Sequence, residues 1–237
     1  RDSLGTAFDY LEYLGTSDMT PEELKSEFYR LACTFYVSPG NERTYVVLSG
    51  LNENMPAAVQ LFEKLLADAQ VNKEAYTNMT SDILKARSDA KLNQGQNFSR
   101  LMSFAMYGPK SPATNLLTEA ELTNMNPQEL VDRIHNQNSY KHRILYYGPS
   151  SSKDLLATIN QYHQVPAALK DIPAGNEYAY LETPVTKVLV APYDAKQIYM
   201  AQISNLDKKY DPAIEPIRAL YDEYFGGGMN SIVFQEM

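Results

Sequence analysis

Asp9, Glu12 and Tyr13 fall at i, i+3 and i+4 of a segment that reads as a helix, Leu4 to Leu14, closed by Gly15. That spacing puts their side chains on one helical face. Two carboxylates so placed can ligate Mg²⁺ or Ca²⁺, but such ions need several further oxygens from elsewhere. Helical acids mostly face water, so a solvated or salt-bridged pair is the plainer reading. The other candidates carry less chemistry. His135, His142 and His163 have no metal-ligand spacing, and each sits on a different predicted element. They read as surface or capping histidines. Ser150-Ser151-Ser152 lacks the nucleophile-elbow pattern and reads as a helix N-cap. Gly226-Gly227-Gly228 is followed by no Gly-Lys-Ser/Thr, so it reads as a tight turn or a close backbone approach, not a phosphate loop.

Bulk composition narrows the function classes. The 237 residues are 44% hydrophobic and 21% charged, with a net charge of -8. That acidity argues against nucleic acid and anionic membrane surfaces as partners, and is compatible with a cationic or neutral polypeptide. Cys33 is the only cysteine, so there is neither an internal disulfide nor a thiolate zinc site. No apolar run is long enough to span a bilayer, and none of these residues reads as a signal peptide, which says little about where a parent protein works. The start at Arg1 and the stop at Met237 inside a helical pattern read as those of an excised or processed chain. Eighteen tyrosines and no tryptophan suit wet clefts as well as ordinary packing.

Local signals set out the elements. Thr20-Pro21-Glu22-Glu23 is a capping box with proline at the first helical position. Its helix carries Leu24, Phe28 and Leu31 on one face. Ala32 to Val37 and Arg43 to Ser49 read as strands around the turn Ser38-Pro39-Gly40-Asn41; the second, weakly alternating, is expected to be covered on both faces. Helices follow through Met55 to Leu66, Lys73 to Lys91 and Phe98 to Ala105. Thr118 to Glu121 and Asn126 to Glu129 cap two more. Lys85, Arg87 and Lys91 read as one solvated or ion-paired helical face. Lys141 to Tyr147 reads as a strand stopped by Gly148-Pro149, and Ser152 to His163 as a helix. Pro166, Pro173 and Pro184, with Gly175 and Asn176, mark 165–184 as a linker. Beyond it, Thr186 to Ala191 and Gln197 to Ser204 read as a strand pair, Ala213 to Phe225 as a helix, and Met229 to Met237 as the start of another.

Tyr10-Leu11-Glu12-Tyr13-Leu14-Gly15 and Tyr221-Asp222-Glu223-Tyr224-Phe225-Gly226 match at Tyr, Glu, Tyr and Gly. With a linker between the copies, the match suggests a duplicated fold whose second copy is cut short.

Positions 9 to 13 also align with the inverted zinc motif H-x-x-E-H, in which two histidines hold zinc and the glutamate activates water. Glu12 keeps the glutamate; Asp9 and Tyr13 stand where the histidines would be. Phe8 to Thr16, Phe98 to Pro112, Leu122 to Gly148 and, most distinctively, Tyr221 to Met237 together resemble the second half of a pitrilysin/insulinase-type zinc metallopeptidase, in particular a large bacterial zinc protease. The resemblance implies four homologous α+β domains in two hinged halves around a chamber. The first half carries zinc on H-x-x-E-H with a distal glutamate; the second lacks zinc and helps to bind peptide. The family's third ligand would fall in the Met79 to Arg87 helix, where Asp82 stands with Lys85 and Arg87 crowding it. Glu12 is expected to pair instead with a basic residue of the Lys85-Arg87-Lys91 helix, which a double-mutant cycle on Glu12 and Arg87 would test.

The expected fold is thus α+β: a metallopeptidase-type domain with a mostly antiparallel sheet covered by helices, plus the first part of a second homologous domain. Residues 1–164 would be an inactive peptidase-like domain lacking its opening strands, 165–184 a linker, and 185–237 the start of the next domain. No catalytic, cofactor or metal residue is assigned; Asp9, Glu12 and Tyr13 are the degenerate positions. Zinc is expected in the N-terminal catalytic half, which with peptide substrate is the expected partner. A bacterial periplasmic or cell-envelope parent fits the resemblance. The rival reading is a non-proteolytic structural or assembly subunit of the same fold.

Overall fold

Short-range capping sets most helix starts. Thr20 Oγ1 accepts the Glu23 N–H at 3.2 Å, while Glu23 Oε2 accepts the Thr20 N–H at 2.8 Å. Thr118 and Glu121 repeat the exchange. Each box satisfies donors that a helix N-terminus leaves without an intrahelical acceptor. Asn72, Asn93, Asn126 and Ser151 cap four further helices with their side-chain oxygens.

The computed structural model describes residues 3–40, 43–194, 197–205 and 210–236. Arg1, Asn41 of the expected turn and Met237 lie outside them. The chain divides into two units, Arg1–Ala179 with Leu189–Met200, and Tyr180–Val188 with Ala201–Met237. The first contains α1 (Ser3–Leu11), α2 (Pro21–Arg30), β1 (Cys33–Pro39), β2 (Thr44–Gly50), α3 (Met55–Asp68), α4 (Lys73–Ala90), α5 (Gln94–Tyr107), α6 (Glu119–Asn124), α7 (Pro127–His135) and α8 (Ser152–Tyr162). The second contains α9 (Glu215–Gly226) and α10 (Ile232–Glu236).

One core serves the first unit. Phe8, Tyr10 and Leu11 of α1, Leu24 and Phe28 of α2, Leu65 of α3 and Leu130 and Ile134 of α7 are all buried in it. The antiparallel hairpin β1–β2 lays Phe35, Val37 and Leu48 against that core, with Phe35 opposite Leu48 and Val37 opposite Val46. Phe35 bridges Phe28 and Phe62, with ring centroids 5.0 Å away on each side. Gly50 faces Cys33, and a Cβ there would lie 2.3 Å from the Cys33 sulfur, so only glycine fits. The hairpin is covered on one face only. Tyr36 and Tyr45 are half exposed, which corrects the expectation of a strand covered on both faces.

The sheet is smaller than expected. Among the described residues it has two strands, not a mostly antiparallel sheet of several. Lys141 to Tyr147 is irregular: its start meets Lys170 through one isolated parallel bridge at Tyr140, and Leu145 and Tyr147 stand in solvent. The segments 186–191 and 197–204 form no ladder either, and Val188, Ile198 and Met200 are exposed. All three runs have strand-like residues, but a strand exists only where a second strand meets its backbone groups. In the second unit the Thr183 and Asn205 backbones and the Thr183 hydroxyl are joined by hydrogen bonds of 2.8 to 3.1 Å. The two copies of the sequence repeat end their helices at different points. Glu12 and Tyr13 lie beyond the end of α1, whereas Glu223 and Tyr224 lie within α9.

Helix α2 ends under strain. Ala32 follows its C-cap with φ 49, the left-handed region that suits glycine. Its N–H nevertheless donates to Tyr29 O at 2.9 Å, closing the helix. Ala32→Gly is expected to stabilise the chain by about 0.5–1 kcal/mol, the relieved strain less the added freedom of the unfolded chain. Urea unfolding with an unchanged m-value checks this; a lower midpoint would contradict it.

Candidate functional site

Helix α1 is held by its apolar side. Tyr10 is fully buried, and its hydroxyl both donates to Asn72 O at 2.6 Å and accepts the Asn72 N–H at 2.9 Å. Its ring meets Tyr76 edge-on at 5.5 Å, and Tyr76 in turn donates to Leu122 O at 2.6 Å. Burial pushes the Tyr10 phenol above its ordinary value; the Asn72 hydrogen bond offsets this in part, and Tyr76 adds to it.

The opposite side carries Asp9, Glu12 and Tyr13, all exposed. The helix stops at Leu11, and the Tyr13 N–H donates to Tyr10 O at 3.0 Å in a tighter turn. The register that would align i with i+4 is therefore broken before Glu12. Asp9 lines a cleft of about 360 Å³ with Arg87 and Arg100. Glu12 lines a different groove of about 690 Å³ with Lys25. The expected Glu12–Arg87 pairing is not formed, because Arg87 belongs to the Asp9 cleft and its Nη1 donates to Leu117 O at 2.6 Å. Asp9 and Glu12 thus face two different clefts and do not converge on one point. Among the described residues no group of three or more His, Cys, Asp or Glu side chains is placed to hold a metal ion.

The turn after α1 is fixed from below. Gly15 passes so close to Met19 that a Cβ would lie 2.2 Å from its carbonyl oxygen, and the Thr16 N–H donates to that oxygen at 2.9 Å. Asp68 of α3 accepts the Ser17 hydroxyl at 2.6 Å and its N–H at 2.9 Å, which lowers its carboxyl pKa. Lys64 of α3 reaches Asp18 at 2.5 Å. These contacts hold one end of the groove that contains Glu12.

That groove has an apolar floor of Leu11, Leu14, Leu24, Phe28 and Phe35, with Cys33 and Thr34 of β1 along a wall. Glu12 and Lys25 add one charge of each sign, and Tyr29 is 86% exposed. Among the described residues β1 pairs only with β2, so its other edge offers backbone donors and acceptors. An apolar channel against an open strand edge can take an extended peptide by strand addition.

Sequence spacing missed one cluster. His142 and His163 lie 2.8 Å apart through their Nε2 atoms, and His163 Nδ1 is 2.7 Å from Glu63. The third histidine, His135, stands apart, with Nε2 3.0 Å from Ala69 O. A separation of 21 residues across irregular chain carries no periodic signal, so only the fold reveals the pair.

No family model and no curated protein matches the chain. Solved structures of pitrilysin-like proteases share its fold. Over 76% of its length it superposes on 20% of the ferredoxin protease FusC, solved as a mutant with Arabidopsis ferredoxin, with a TM-score of 0.58 and 12% identity. Over 75% it superposes on 20% of the periplasmic protease PqqL of Escherichia coli (TM-score 0.58, 14% identity). Over 76% it superposes on 44% of a Helicobacter pylori protease (TM-score 0.56, 12% identity). The chain spans about a fifth of the length of the first two.

Tyr10→Phe leaves the Asn72 N–H and C=O without their phenol partner and should cost about 1–3 kcal/mol. It should also change the alkaline limb of stability. With its pKa raised by folding, Tyr10 contributes stability that is complete below the ordinary phenol value of about 10 and lost as pH rises beyond it. Denaturant midpoints measured at neutral pH and above pH 10 should therefore converge for the variant and the parent; a constant gap would contradict the assignment.

Proposed function

We propose that this chain is the non-catalytic half of a zinc metallopeptidase. It helps to enclose and bind peptide while an N-terminal half supplies zinc and the general base. The observation that carries the reading is a protease-type fold in which Asp9 on α1 and Glu12 just beyond it face different clefts, with a phenol at position 13. The groove beside β1 supports it, since it combines an apolar floor with a strand edge that accepts main chain. The net charge of -8 favours cationic or neutral peptides. On this reading the chain is one inactive domain with the beginning of a second, homologous one. Asp9, Glu12 and Tyr13 have no catalytic role.

Two measurements test it together. A labelled, unstructured peptide free of acidic residues should bind the chain, and Tyr29→Ala combined with Glu12→Lys, which sets a positive charge on the groove, should weaken that binding several-fold. Zinc-dependent cleavage should require the N-terminal half and be raised by adding this chain. Absence of peptide binding, or cleavage by the N-terminal half that this chain leaves unchanged, would favour a structural subunit instead.

A further inference from the structure

Arg87 near the end of α4, Lys91 just beyond it and Arg100 of α5 line one cleft of about 690 Å³. Glu119, in the first turn of α6, is the one acid on its wall. Asp9 lines the adjoining cleft, which shares Arg87, Arg100 and Leu116. Among the described residues neither Lys91 nor Arg100 forms an ion pair, and Arg87 donates to an uncharged acceptor, Leu117 O. The positive surplus is local. Residues 85–110 carry five Lys or Arg and one acid, Asp89, so they stand at +4 in a chain of net charge -8, and the remainder stands at -12. Cations gathered against the apolar walls Leu84, Phe104 and Leu116 focus a positive field into the cleft and concentrate anions there.

We propose that this cleft is a docking site for an acidic peptide segment, with its carboxylates on Arg87, Lys91 and Arg100 and an apolar neighbour against Phe104 and Leu116. The Arg100 guanidinium presents a planar fork of donors that fits a carboxylate side-on, and Lys91 adds a point charge. Arg87 keeps its bond to Leu117 O through Nη1 and offers its remaining N–H groups. Main-chain donors along the cleft are already engaged: the Gly108 N–H donates to Phe104 O at 2.7 Å, the Ser111 N–H to Thr114 Oγ1 at 3.2 Å, and the Thr114 N–H to Ser111 O at 2.9 Å. Phosphate is commonly held by such N–H groups, so side-chain cations beside apolar surface suit the carboxylates of a polypeptide better. The acidic remainder of the chain repels any polyanion long enough to leave the cleft, which disfavours nucleic acid. No residue of the cleft lines the groove beside β1, so the site does not rest on the reading of that groove.

Fluorescence anisotropy on the whole chain in phosphate-free buffer tests it, with a labelled peptide of Glu, Leu and Gly and a copy carrying Gln for every Glu. The Glu peptide should bind more tightly by about tenfold, the effect of roughly one charge-assisted hydrogen bond. Its affinity should fall as salt rises from about 20 to about 200 mM. Lys91→Glu with Arg100→Glu, both at exposed positions, should abolish the preference with an unchanged circular dichroism spectrum. The same double variant should leave the affinity for an acid-free peptide as it was, which separates this cleft from the groove beside β1. Four outcomes would overturn the proposal: no saturable binding of the Glu peptide, equal binding of the two peptides, a preference that the double variant leaves intact, or pyrophosphate displacing the labelled Glu peptide at lower concentration than unlabelled Glu peptide does. The last would make the cleft a phosphate site.

Discussion

The phenol of Tyr10, held between the N–H and C=O of Asn72, decides where α1 lies. A buried hydroxyl without partners costs free energy, and Asn72 supplies both partners from the residue that also caps α4. Once Tyr10 is fixed, Phe8 and Leu11 enter the core, while Asp9 and Glu12 are left in solvent. The buried packing face and the carboxylates left outside are thus two aspects of one placement. The turn at Gly15 and the Ser17–Asp68 contacts then set the direction from which α2 and β1 enter.

What the residues disclosed in advance follows the range of the forces involved. Capping boxes act over three residues, so Thr20 with Glu23 and Thr118 with Glu121 mark their helices without knowledge of the fold. The hairpin was legible for the same reason: its strands lie on either side of a short turn. Lys141 to Tyr147 was misread because Ile144, Leu145 and Tyr147 have the composition of a strand, and composition says nothing about whether a partner backbone is at hand. The segments 186–191 and 197–204 failed in the same way.

The site was legible unevenly. Asp9, Glu12 and Tyr13 could be named from spacing, but their divergence into two clefts depends on α1 ending at Leu11, a detail of one turn. Arg87 looked like a counter-ion and instead holds the Leu117 carbonyl of a distant loop. His142 and His163 looked unrelated and are in contact, because α8 returns the chain to α3.

Helix α1 packs well on one side, and the hairpin does so on one face, but β1 keeps a row of main-chain groups without a strand beside it among the described residues. Natural sheets guard such rows with lysines, bulges or proline. Here Thr34, Tyr36 and Ser38 stand along the strand, and proline comes only at its last position. An edge so lightly guarded does not distinguish a guest segment from the hairpin of another molecule. Handling the isolated chain at high concentration therefore sets peptide capture against aggregation.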